Sequence, residues 1–161
     1  MKAVVQRVRN ASVSVDGAVT GSIDRGLLVY LGVAAGDTEK DAEWMAEKIA
    51  YLRIFEDAQG KMNVSLKDLV GEAGNAARGD DVRSAGVLAV SQFTLLGDAS
   101  KGRRPYYGAA AEPAKARALY EYFMAQVGNQ GLLCEAGIFQ AHMEVSYTND
   151  GPVTILLDTR D

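Results

Sequence analysis

With 161 residues, 48% of them hydrophobic, the chain can close one full hydrophobic core, and a single domain over residues 1–161 is expected. A net charge of −4 argues against a protein that coats nucleic acid, so any contact with phosphates must be local. One cysteine and one histidine exclude an internal disulfide and a zinc-finger type of metal site, and the apolar run at Met1 is broken by Gln6 and Arg7 too early for a signal peptide, which points to the cytoplasm.

In chain order, Ala3 to Val8 and Ala11 to Val15 read as strands, and Asp16-Gly17 is a two-residue hairpin signal leading into a third strand, Ala18 to Ile23. Leu27 to Val33 is short, nearly all apolar and flanked by glycine, as a buried strand requires. A helix follows. Thr38 or Asp37 can cap it, Glu39 and Asp41 suit the positive end of its dipole, and Ala42, Met45, Ala46, Ile49 and Leu52 recur at helical spacing. Arg53 to Phe55 and Met62 to Ser65 read as a small strand pair across a turn at Glu56 to Gly60.

Gly71 to Gly86 has few large apolar groups to repay the entropy of ordering and is expected to be a mobile surface loop. Val87 to Val90 restarts a buried strand that delivers Ser91-Gln92-Phe93-Thr94-Leu95, and a glycine and charge cluster, Gly97 to Pro105, comes next. A second helix is expected from Glu112-Pro113 to Gly128, with Ala116, Leu119, Tyr120, Phe123 and Val127 as its buried stripe. After Leu132 to Glu135, Phe139 to Thr148 alternates like a half-buried strand, Asn149-Asp150-Gly151-Pro152 reads as a turn, and Val153 to Leu157 reads as strand again.

The chemistry available is sparse. Strand parity puts His142 with Gln140, Glu144 and Ser146 on a polar, wet face, away from Phe139, Ala141, Met143, Val145 and Tyr147, and a general base needs a positioned partner and a pocket. Cys134 has no neighbour that would lower its pKa and reads as a small core residue. Ser91 and Thr94 stand at a strand end, where they either satisfy backbone groups or meet a ligand, and N–H groups at such a bend can stabilise an oxyanion with no catalytic side chain. Lys101, Arg103 and Arg104 form a local cation cluster that suits a phosphate-contacting loop, while Tyr106 and Tyr107 are expected to pack rather than stack on bases. Gly151-Pro152, one residue without a side chain and one without an N–H, can present bare carbonyls.

Ser91-Gln92-Phe93-Thr94-Leu95, the Lys101-Gly102-Arg103-Arg104-Pro105 loop and Asn149-Asp150-Gly151-Pro152-Val153-Thr154, in this order, resemble the signature of the D-aminoacyl-tRNA deacylase (D-tyrosyl-tRNA deacylase) family. The resemblance implies a mixed α/β fold, mainly antiparallel, with a compact β-barrel-like sheet flanked by two main helices, in a homodimer that needs no metal or cofactor. It implies hydrolysis of the ester joining a D-amino acid to the 3′ end of tRNA, in translation quality control. Ser91, Gln92, Phe93 and Thr94 would line the pocket for the terminal adenosine and aminoacyl group. Gly151-Pro152, with a cis peptide bond, would enter the partner subunit's pocket and reject L-amino acids, supported by Arg7, Asn149, Ala141 and Met143. Lys101, Arg103 and Arg104 would contact tRNA. Because an aminoacyl ester is already reactive and the vicinal 2′-hydroxyl can assist, a hydrolase without a triad is chemically sufficient, and glycyl-tRNA, including glycine mischarged on alanine tRNA, is an expected second substrate. Two other readings stay open: Thr94 as a nucleophile, or a non-catalytic nucleic-acid-binding module built on the basic loop.

Overall fold

The computed structural model describes residues 1–75 and 85–161. The molecule is organised on one long strand, β1 (Lys2–Val15). The two strands expected in this stretch are continuous. One edge of β1 pairs antiparallel with β2 (Ala18–Ile23) along its second half and with β3 (Gly26–Gly32) along its first. Asp16 and Gly17 both have positive φ, as a two-residue hairpin turn requires. The other edge of β1 pairs along nearly its whole length with the final strand of the chain.

Helix α1 (Glu39–Tyr51) begins where the cap residues predict: the Asp41 carboxylate accepts the N–H of Thr38 at 2.8 Å and its hydroxyl at 2.9 Å. Ala42, Met45, Ala46 and Ile49 are buried against the sheet. A two-stranded ribbon, β4 (Phe55–Glu56) and β5 (Met62–Val64), follows as expected. The next element differs from expectation. Helix α2 (Leu66–Asn75) takes in the start of the stretch expected to be a loop, giving three α-helices among the described residues where two main ones were expected. Its physical cause is a second capping box, in which the Asp68 carboxylate accepts the hydroxyl of Ser65 at 2.6 Å and its N–H at 3.0 Å. The remainder of the expected loop, 76–84, lies outside the described residues, and Gly86 already belongs to β6 (Gly86–Ser91).

β6 runs parallel to β3 and is followed, parallel again, by β7 (Leu133–Ala136), reached through helix α3 (Pro113–Asn129) with its proline in the first turn. The sheet order is β2-β1-β3-β6-β7, with β8 (Glu144–Asp158) on the free edge of β1. The sheet curls so far that a Cβ on Gly21 of β2 would lie 2.6 Å from the Ala136 carbonyl of β7, which nearly closes a barrel. Inside it pack Val8, Ala11, Val13, Ile23, Leu28, Leu88 and Val90. On its outer side Val5, Leu27, Val29, Val87 and Ala89 meet Met45, Ile49 and Phe123 of the helices. Burying each large side chain fully is worth about 1.5–3 kcal/mol, so these two layers carry the fold.

β8 corrects two expectations. The strand expected from Phe139 begins only at Glu144, because Gln140 has φ +66° and the chain turns there, with the N–H of Ala141 bonded to the carbonyl of Ile138 at 3.2 Å. The expected turn at Asn149 to Pro152 is no reversal. Gln6 pairs with Thr154 and Val8 with Asn149, so the four residues Asp150 to Val153 face the single residue Arg7, and the stretch is a bulge inside one continuous strand. Among the described residues no helix is long and apolar enough to cross a membrane.

Candidate active site

Where the parallel strands β3 and β6 end, the chain opens a cleft of about 610 Å³. Its floor is Leu31 and Val33 on one side and Val90, Ser91, Gln92 and Phe93 on the other. Ala111, Pro113, Ala116 and Tyr120 from the start of α3 form one wall, and the turn from Phe139 to Met143 forms the opposite wall. The wall is held in place by the Tyr120 hydroxyl, which donates to the Ala89 carbonyl at 2.8 Å and whose pKa burial drives upward. Tyr30 also lines the cleft, and burial, with the neighbouring Tyr147, pushes its pKa to about 12, so it acts at neutral pH as a hydrogen-bonding phenol and not as a base.

Ser91 to Thr94 lie at the mouth as the strand turns. The N–H of Gln92 still bonds to the Leu31 carbonyl at 2.8 Å, after which Phe93–Leu96 coil into a single 3₁₀ turn closed by Gly97 N–H to the Thr94 carbonyl at 3.0 Å. The first N–H groups of such a turn have no partner within it. The Gln92 side-chain amide donates to the Thr94 hydroxyl. An amide is not a base, and no carboxylate or imidazole among the described residues hydrogen-bonds to Thr94. Thr94 does not itself line the cleft, whereas Ser91, Gln92 and Phe93 do.

Expectation and structure differ for His142. Once Gln140 breaks the extended run, strict alternation fails, and Gln140, Ala141, His142 and Met143 all line the cleft. No signal in the sequence announces a left-handed residue at a glutamine. His142 is exposed and no hydrogen bond orients it among the described residues. Cys134 is the inert core residue expected: burial, then the charge of Glu135, raises its thiol pKa to about 12.

Gly151-Pro152 is a cis peptide at the crest of the β8 bulge, both residues exposed, and neither lines the cleft of its own chain. Two of the expected supporting residues are beside it. The Asn149 side-chain amide donates across the neck of the bulge to the carbonyls of Arg7 (3.0 Å) and Val153 (3.2 Å). Arg7, only 4% exposed, donates to the Ile54 carbonyl at 2.6 Å and sets its Nε 3.0 Å from Asp150 Oδ2, while Arg9 reaches Asp150 Oδ1 at 3.1 Å. One guanidinium nitrogen of Arg7 lies 3.1 Å from where a Cβ on Gly151 would sit. Ala141 and Met143, expected to support the Gly-Pro pair, line the cleft of their own chain.

The basic loop is tied to the cleft rather than free of it. Asp98 and Tyr106 exchange two backbone hydrogen bonds of 2.8 Å that close the loop, and the Phe93 and Tyr107 rings meet edge to face at 5.2 Å. Lys101, Arg103 and Arg104 are exposed and form no ion pair with a described residue. Tyr106 is 72% exposed, contrary to the expectation that it packs. Among the described residues no group of three His, Cys, Asp or Glu side chains is placed to hold a metal ion.

The family model described as D-Tyr-tRNA(Tyr) deacylase matches residues 4–158. The chain belongs to this family. It is 56% identical over 160 residues to a D-aminoacyl-tRNA deacylase of Koribacter versatilis (strain Ellin345), covering 99% of this chain and 98% of that one. A solved structure described as c-Myc DNA unwinding element binding protein superimposes with a TM-score of 0.83 at 39% identity, over 99% of both chains. A second, described as a probable eukaryotic D-amino acid tRNA deacylase, has a TM-score of 0.77 over 97% of both chains at 16% identity, a likeness of fold. As a member of this family the chain is a hydrolase acting on aminoacyl-tRNA.

Proposed function

We propose that the protein, a single domain over residues 1–161 working in the cytoplasm as a homodimer, removes D-amino acids and glycine from tRNA, including glycine mischarged on alanine tRNA, and spares L-aminoacyl-tRNA. The observation that carries this reading is the Gly151-Pro152 bulge: side-chain-free and N–H-free, it is exposed, fixed by Arg7, Asp150 and Asn149, and turned away from the cleft of its own chain. A second copy could receive it in its cleft, where two carbonyls beside the substrate α-carbon would collide with an L side chain and leave hydrogen or a D side chain free. Discrimination by exclusion tolerates glycine.

In the reaction a water oxygen bonds to the ester carbonyl carbon, the bond from that carbon to the ribose 3′-oxygen breaks, and the water proton ends on the 3′-oxygen. The vicinal 2′-hydroxyl of the tRNA assists, and the N–H groups that the start of the Phe93–Leu96 turn leaves without a partner stabilise the oxyanion. This assignment suits a site in which Thr94 is bonded to an amide and has no base beside it. Thr94 is then a positioning group, and Lys101, Arg103 and Arg104 contact the tRNA.

Turnover of D-tyrosyl-, L-tyrosyl- and glycyl-tRNA, with a parallel set ending in 2′-deoxyadenosine, tests the reading. Hydrolysis of the D and glycyl esters, sparing of the L ester and loss of rate with the deoxy end are expected. Undiminished hydrolysis of the deoxy substrate refutes tRNA assistance, and a loss of several orders of magnitude in Thr94→Ala restores Thr94 as nucleophile. Binding of tRNA without hydrolysis of any ester would leave the nucleic-acid-binding module, a reading favoured only by the basic loop.

A further inference from the structure

Three aromatic rings stand in water, one lining the cleft and two on the loop beside it: Phe93, 57% exposed, Tyr107, 38% exposed, and Tyr106, 72% exposed. Isolated exposed apolar residues need no explanation, but here two rings touch and the third belongs to the neighbouring residue of the same closed loop. Phe93 and Tyr107 are in edge-to-face contact, and Tyr106 is fixed by the paired backbone bonds to Asp98. The Tyr106 ring folds back over Gly108, where a Cβ would lie 2.1 Å from the Tyr106 hydroxyl, so only glycine admits this ring position. The following residues are pinned to the end of β3 by Ala111 N–H to the Val33 carbonyl at 2.9 Å and Ala35 N–H to the Ala109 carbonyl at 3.0 Å. The segment therefore holds an aromatic surface ready-made, with its ordering entropy already spent.

Beside the rings, on the same closed loop, are Lys101, Arg103 and Arg104, three cations without an ion-pair partner among the described residues. Aromatic faces next to unpaired cations fit an unpaired polyanion whose bases are free to stack. A duplex fits poorly, since its bases are already stacked on each other.

We infer that Tyr106, with Phe93 and Tyr107, is a stacking platform for the unpaired nucleotides that precede the terminal adenosine, so that the enzyme reads a single-stranded 3′ overhang and not the aminoacyl nucleoside alone. The inference rests on the deacylase reading above. Tyr106 holds an unpaired base by its π face while the three cations hold the flanking phosphates. Neither contact touches the ester, so both act on KM and leave kcat.

Steady-state kinetics on D-tyrosyl-tRNA and on the D-tyrosyl ester of adenosine, which ends before the platform, separate the possibilities. Tyr106→Ala should raise KM for the tRNA roughly 5- to 10-fold with kcat retained, and should shrink the preference for tRNA over the adenosine ester by the same factor. Tyr106→Phe, which keeps the π face, should restore the wild-type KM. Replacing Lys101, Arg103 and Arg104 together by Ala should flatten the salt dependence of tRNA binding by about 2 in log–log slope, a change Tyr106→Ala does not make. Equal effects of Tyr106→Ala on both substrates, or a Tyr106→Ala protein whose sedimentation shows a changed oligomeric state, overturn the inference in favour of a structural or protein-contact role. If the wild type hydrolyses neither ester, the deacylase reading fails. The platform is then judged on uncharged tRNA with and without its last three nucleotides, where truncation should cost wild type more affinity than Tyr106→Ala, and an equal loss in both proteins overturns it.

Discussion

Replacing Gly151 by alanine asks whether the bulge on β8 is a selectivity element or only a way to accommodate surplus residues. Gly151 has φ +116°, a conformation L residues rarely adopt, and holding a non-glycine residue there costs on the order of 1–3 kcal/mol. The added Cβ would stand 2.9 Å from Val153 Cγ2, 3.1 Å from the Arg7 guanidinium and 3.2 Å from the Val153 nitrogen, each closer than ordinary contact. Val153 is half-buried and Arg7 is held by the Ile54 carbonyl and Asp150, so the backbone must yield, and it takes the Gly151 and Pro152 carbonyls with it. Adding about 1 kcal/mol for this contact strain gives about 2–4 kcal/mol, a loss that a domain with 5–15 kcal/mol of stability survives. Thermal unfolding should fall by about 5–15 °C with the fold retained. Single-turnover hydrolysis of D- and L-tyrosyl-tRNA should show the ratio of the two rates dropping by about tenfold or more, because ~1.4 kcal/mol of lost discrimination is already a factor of ten. A folded Gly151→Ala protein with lowered melting temperature and an unchanged D-to-L ratio would refute the selectivity role and leave the bulge a structural detail.

Two further outcomes follow from the described geometry. Arg7→Met should destabilise by about 2–4 kcal/mol in urea titration, since it leaves the Ile54 carbonyl without its donor and Asp150 with Arg9 alone, and it should lower the D-to-L ratio; Arg7→Lys, which keeps the charge but cannot span both partners, should lose selectivity with a smaller loss of stability. The Asp68 carboxyl is held below its ordinary value of 3.8 chiefly by the Ser65 hydroxyl and then by the Ser65 N–H. A lowered folded pKa means a contribution fully present above the unfolded value and lost as pH falls through the folded one, so melting temperature should decline below about pH 4, and Asp68→Asn should flatten that decline.

The parts of the fold that were legible are those in which local chemistry decides. Thr38 with Asp41, the alternation of Val13 and Val15, and Asp16-Gly17 each fix structure within a few residues. Ser65 with Asp68 is the same capping grammar as Thr38 with Asp41, and it was masked by the glycines that follow at Gly71 and Gly74, which lower helix propensity in a window average but do not cancel a good cap and the buried Leu66. Gln140 is a different kind of miss. It takes a left-handed conformation in a segment where a Cβ on Gly137 would meet Met143 Sδ at 2.4 Å, a tertiary contact that no reading of single residues contains. The cleft itself is a product of topology: Ser91 to Phe93 and Phe139 to Met143 face each other only because β6 lies parallel to β3, and parallel pairing is decided by the crossover, not by either strand.

Asn149 to Pro152 shows why a turn and a bulge cannot be told apart from inside. Asn, Asp, Gly and Pro satisfy both, and the decision lies in β1, where Gln6 and Val8 hold Thr154 and Asn149 in one ladder and leave only Arg7 opposite the surplus. Arg7 then makes the bulge more than slack. It sits in a core-facing pleat next to fully buried Val5, a place where an apolar side chain packs without the cost of desolvating a cation. Replacing a whole buried ion pair by well-packed apolar groups is often neutral or stabilising in other proteins, although removing one partner alone is costly, so packing gives no reason for the pair here. Its contacts give one: the guanidinium links the Ile54 carbonyl, on the segment leading into β4, to Asp150 at the foot of Gly151-Pro152, so the crest of the bulge is referenced to the helical layer as well as to its own strand. A loop that merely absorbed three extra residues would need no such second anchor. The proposed role, a pair of carbonyls that stops one stereoisomer and passes the other, does need one, because a shift of about 1 Å in a positioned group is enough to cost orders of magnitude.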